Sequence, residues 1–138
     1  TTRPPHQHHD RYGARMVALP PYAGDAGGRC LLLAGGATPS TPPRWFSTEQ
    51  YDDRSDSWTT VGTSLPVLSG FAMLAPYGET GHEVWVIGGD TFQRSSVHPI
   101  PQEAVLSYDP RSTGDMWTIQ PQATLPRPMC GLSGAVVP

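Results

Sequence analysis

The stretch that decides the fold is Val84-Trp85-Val86-Ile87-Gly88-Gly89, followed by Tyr108-Asp109, Trp117 and Leu125-Pro126. The same marks stand earlier in the same order: Leu31-Leu32-Leu33-Ala34-Gly35-Gly36, then Tyr51-Asp52, Trp58 and Leu65-Pro66. Each apolar run has the length of a strand, and each is stopped by a diglycine. Five marks recur at a spacing of about fifty to sixty residues. Self-similarity at such a period signals a repeat architecture, in which each unit is one supersecondary element stacked on its neighbours.

Working outward, the segments between the marks read as strands and turns. Ala14 to Leu19 can form a strand that Pro20-Pro21 stops, and the glycine-rich Gly24 to Gly28 turns the chain into Leu31 to Ala34. Residues 37–44 carry three prolines and cannot hold a ladder, so they read as a long loop. A third strand is expected near Trp45 to Tyr51, a polar turn over residues 52–57, and a fourth strand over Trp58 to Val61. The second unit repeats this. Phe71 to Ala75, Val84 to Ile87, Ala104 to Tyr108 and Met116 to Ile119 are its strands, with residues 90–102 as a loop. Leu125-Pro126-Arg127-Pro128 then opens a third unit, of which one strand, Gly131 to Val137, is present. No segment of ten residues sustains a helical period.

In this register the marks resemble the kelch repeat, a four-stranded blade of a β-propeller. The resemblance covers residues 11–138. It implies an all-β fold with two four-stranded antiparallel blades and the first strand of a third. The units would be residues 11–66, 67–126 and 127–138, after a polar tail over residues 1–10. The resemblance also gives the marks structural roles. Gly35, Gly36, Gly88 and Gly89 let the chain turn and pack without a Cβ. Tyr51, Trp58, Tyr108 and Trp117 fill the wedge between neighbouring blades. The units are longer than the roughly fifty residues usual for kelch. The arginine that follows the Leu-Pro mark is present as Arg127, is missing near Val67-Leu68, and is read in the first unit as Arg11.

Composition bounds the function. The formal charge of −3 offers no basic footprint for nucleic acid and no polybasic stretch for an anionic membrane. No apolar run approaches the roughly 18 residues that span a bilayer. The opening Thr1 to His6 has neither a methionine nor an apolar signal core. All nine basic residues are arginine, a bias that runs through the whole chain and reads as codon usage, not as a site. Cys30 and Cys130 fall on strands that are not neighbours, so two separate thiols are expected. His6, His8, His9 and Asp10 could meet a transition metal, but adjacent ligands on a tail lack fixed geometry. No P-loop, nucleophile elbow or His-Glu-x-x-His is present.

The resemblance therefore implies a protein- or peptide-binding scaffold with no cofactor, no metal and no catalytic residue. Its binding face would be formed by the loops after the diglycines and at the Leu-Pro junctions. Arg44, Trp45, Arg94, His98 and Arg127 are the arginine, aromatic and imidazole side chains there, with Phe92 beside them, types suited to binding hot spots. The alternative is a segment of a copper-radical oxidase of the galactose or glyoxal oxidase type, which is built on the same kind of propeller. Propellers close with four to eight blades, so a segment of a longer propeller is expected. A ring assembled from several copies of a two-bladed chain is the alternative.

Overall fold

The computed structural model describes residues 11–19, 29–36, 47–65, 69–75, 83–91, 100–111 and 117–136. Ten strands form: β1 (Arg15–Ala18), β2 (Arg29–Ala34), β3 (Ser47–Asp52), β4 (Ser57–Ser64), β5 (Ala72–Leu74), β6 (Val84–Ile87), β7 (Asp90–Thr91), β8 (Ile100–Pro101), β9 (Val105–Tyr108) and β10 (Thr118–Ile119). There is no helix among the described residues. One sheet runs β1-β2-β3-β4 and a second runs β5-β6-β9-β10, every pairing antiparallel. The fold is all-β, with two four-stranded antiparallel blades that are not closed into a ring.

The registers make the two blades equivalent strand by strand. Ala34, the residue before the first diglycine, faces Arg15, and Ile87, before the second, faces Ala72. Leu31 faces Tyr51 as Val84 faces Tyr108. All four diglycine residues have positive φ, +69° and +86° in the first unit and +62° and +98° in the second. Only glycine adopts that geometry without strain. Close approach adds a second reason at Gly89, where a Cβ would stand 2.8 Å from the Phe71 Cβ.

The aspartate of each Tyr-Asp mark works on the turn that follows it. Asp52 Oδ1 accepts the amides of Arg54 (2.8 Å) and Ser55 (3.2 Å), and Asp109 Oδ1 accepts that of Arg111 (2.9 Å). An aspartate side chain that bonds the backbone two residues on pre-forms such a turn. The core lies between the blades. Leu32, Ala34 and Leu65 of the first pack with Phe71, Val84, Val86, Leu106, Tyr108 and Trp117 of the second. The inner strands meet as well, with Arg15 Nε donating to the Phe71 carbonyl at 3.4 Å.

Two details differ from the sequence reading. The loop expected over residues 90–102 begins and ends as a short ribbon, with Asp90 paired to Pro101 and Thr91 to Ile100. The third unit's opening is present, but residues 132–136 carry no ladder among the described residues.

Candidate functional site

The surface that the sequence points to is organised around the second diglycine. Gly88 donates to the Ala104 carbonyl (2.9 Å) and Gln102 to the Gly89 carbonyl (2.8 Å), which closes the base of the β7–β8 ribbon. The strip after β10 is bonded onto that base. Leu125 donates to the Glu103 carbonyl (2.9 Å), Met129 to Gln102 (3.0 Å), and Gly89 in turn to Met129 (2.9 Å). Asp90 accepts the Ser69 hydroxyl at 2.7 Å, and its own amide donates to the Ser69 carbonyl at 2.9 Å. Backbone bonds from three directions therefore fix the foot of the ribbon. On the strip that crosses it, Arg127 and the free thiol of Cys130 are exposed.

Of the residues chosen for the binding face, the structure describes Arg127 alone; Arg44, Trp45, Arg94 and His98 lie outside the described residues, as do Phe92 and all five histidines. The eight repeat marks are all described. Tyr51 and Trp58 make a tilted ring contact, with centroids 5.3 Å apart at 48°, and Tyr108 and Trp117 do the same at 5.3 Å and 35°. The second pair binds the first blade: Tyr108 Oη donates to the Val61 carbonyl (3.0 Å) and Trp117 Nε1 to Thr48 Oγ1 (2.9 Å). Tyr51 Oη instead donates to Asp56 Oδ1, within its own β3–β4 turn.

Two features escaped the sequence reading. The first is a buried ion pair of Arg11 with Glu49, whose side chains are 3% and 0% exposed. Arg11 Nη1 also donates to the Gly35 carbonyl at 3.2 Å. Burial pushes the guanidinium below its usual range, while the Glu49 carboxylate opposes that shift. The second is a glycine that opens each unit. Gly13, Gly70 and Gly131 have φ of +78°, +67° and +72°. With these aligned, Arg11 stands two residues before its glycine and Arg127 four before. Arg11 does not fill the place of Arg127; it holds the place of Leu68 and Met129. The signal was available as a glycine two residues ahead of each first strand.

The opening glycines also show how one unit follows another. A Cβ at Gly13 would lie 2.5 Å from the Ser69 Cβ, and one at Gly70 would lie 3.2 Å from the Cys130 Cβ. Ser69 and Cys130 each precede the opening glycine of the next unit. Nothing lies within 4 Å of the same position at Gly131. Chemically, the described part of the face offers one free-standing cation and one thiol on a fixed backbone. Arg111, in the turn after β9 at the other end of the sheet, is held bidentately by Asp109, with Nε–Oδ1 and Nη2–Oδ2 both 3.1 Å. No family model and no curated protein matches the chain.

Proposed function

We propose that the chain is a kelch-type propeller segment that binds a protein or peptide and performs no chemistry. The binding face is the one carrying Arg44, Trp45, Arg94, His98 and Arg127. The observation that supports this reading is the bonding of the 120–131 strip onto the base of the β7–β8 ribbon. It sets Arg127 beside the ribbon from which Arg94 and His98 extend in sequence. Binding residues are often carried by loops on a rigid scaffold, and arginine and aromatic side chains are the types that supply anchoring contacts.

Panning a displayed peptide library on the folded chain tests the proposal. Selected peptides are expected to lose at least tenfold in affinity, about 1.4 kcal/mol, with Arg94→Ala or Arg127→Ala. Affinity unchanged in both variants, with the fold intact, rejects this face. Stoichiometric copper with turnover of an alcohol or aldehyde would overturn the scaffold reading itself.

A further inference from the structure

The two blades answer the same polar positions differently. In each unit the residue before the tyrosine faces a threonine of the next strand, Gln50 opposite Thr59 and Ser107 opposite Thr118. Three residues after the tryptophans stand Val61 and Gln120. The second unit pairs its own groups. Gln120 Nε2 donates to Ser107 Oγ at 2.8 Å, and Asp109 is held by Arg111. In the first unit the amide stands on β3 and valine on β4, so no such pair forms. Gln50 is 4% exposed, and its Nε2 is buried with no hydrogen-bond partner. Asp52 takes the Arg54 and Ser55 amides through Oδ1, and no arginine side chain holds it among the described residues.

Buried polar groups are paired as a rule, and an orphan of this kind marks a place where a partner belongs. Gln50 lines a crevice of about 180 Å³ together with Asp52, Thr59 and Val61. Thr48, two residues before Gln50 on the same face of β3, takes the Trp117 bond from the second blade. The Val61 carbonyl takes the bond of Tyr108. The crevice therefore lies beside the joint between two four-stranded sheets. Asp52 pairs with Arg29 at the start of β2, the end of the blade remote from Gly35-Gly36 and the loop face.

We propose that this crevice is a second binding site, which takes a compact, neutral polyhydroxyl ligand. The Asp52 carboxylate only accepts hydrogen bonds, and the Thr59 hydroxyl both donates and accepts. The Gln50 amide presents its NH2 or its carbonyl to the crevice by a half-turn about its last torsion. An anionic ligand is repelled by Asp52. An ammonium suits Asp52 but carries no lone pair, and it leaves the Gln50 amide hydrogens without an acceptor. A hydroxyl accepts from the amide and donates to the carboxylate, and a polyol brings several on adjacent carbons. Val61 gives the C–H face of such a ligand an apolar wall. The volume is below the roughly 300–1,000 Å³ of drug-sized pockets, so the ligand is a single sugar ring or a short sugar alcohol.

The test titrates the whole chain with D-glucose, D-mannitol and myo-inositol and follows it by NMR. At least one of the three is expected to shift the Gln50 side-chain NH2 and Thr59 backbone amide signals to saturation. Gln50→Ser combined with Val61→Gln rebuilds the internal pair of the second unit in the first. It is expected to weaken that ligand about tenfold, read at the Thr59 amide. Asp52→Asn keeps an oxygen for the turn and is expected to weaken the ligand about threefold. Absence of a saturable shift with all three polyols overturns the proposal, as does unchanged affinity in either variant. Saturation by propylammonium or acetate, with none by the polyols, also overturns it, since the crevice then selects a charged ligand.

Discussion

The two tyrosine–tryptophan pairs have the same ring separation and different partners. Both sit at the β3–β4 position of their unit with ring centroids 5.3 Å apart. Tyr108 and Trp117 reach across to the first blade through Val61 and Thr48, and both rings are buried in the shared core. Tyr51 bonds within its own turn, and its face carries the Arg11–Glu49 ion pair where the second unit has leucine at the position of Glu49. Glu49 and Leu106 occupy equivalent places, two residues before the tyrosine, at 0% and 1% exposure. The mark in the sequence therefore specifies a ring-to-ring contact within a unit. What that pair packs against is set by the neighbour.

The largest expected effect breaks this comparison at its polar side. Glu49→Ala leaves the buried Arg11 guanidinium without its carboxylate and is expected to cost about 3–5 kcal/mol in urea unfolding. Leu106→Ala, at the equivalent place, is expected to cost about 2–5 kcal/mol through its cavity. Replacing both members of the pair, Arg11→Leu with Glu49→Leu, is expected to recover most of the single-variant loss, because a buried pair roughly offsets its own desolvation. A double variant no more stable than Glu49→Ala would mean that the first unit needs the ion pair as such.

A smaller effect separates the opening glycines. Gly131→Ala meets open space and carries only the strain of a positive φ, about 1–2 kcal/mol. Gly13→Ala adds a collision with Ser69 and is expected to cost about 3 kcal/mol in the same assay. Equal losses at the two positions would remove the argument that successive units pack through their openings. Smaller again is the contrast between the tyrosine hydroxyls. Tyr108→Phe gives up a bond between the blades and is expected to cost about 1 kcal/mol. Tyr51→Phe gives up a bond to the exposed Asp56 and is expected to stay within about 0.5 kcal/mol.

In the first two units the strands were legible where a repeated mark fixed them. The Val84–Ile87 strand matches its sequence bounds, and the diglycines, Tyr-Asp turns and paired rings fall where the period sets them. The β7–β8 ribbon was not legible, because two-residue strands show no alternation and Pro99 and Pro101 read as loop. Pro101 is compatible with the structure because a short edge ribbon does not need every amide. Burial of Thr48-Glu49-Gln50 was also hidden. The run reads as a solvated strand, yet all three are buried because β3 is covered on both faces. One face meets the second blade and the other meets Arg11, and both contacts span distant segments that no local pattern records. Residue types such as Arg127 say what a surface can bind and not how it is shaped.

The account rests on the claim that the second unit's aromatic pair joins two successive blades. A double-mutant cycle of Trp117→Phe and Thr48→Val measures that joint directly, because the cycle cancels the packing lost at each site alone. The Nε1–Oγ1 bond of 2.9 Å, buried between the blades, predicts a coupling of about 1 kcal/mol in urea unfolding. Strictly additive losses, with no coupling beyond about 0.3 kcal/mol, would contradict it.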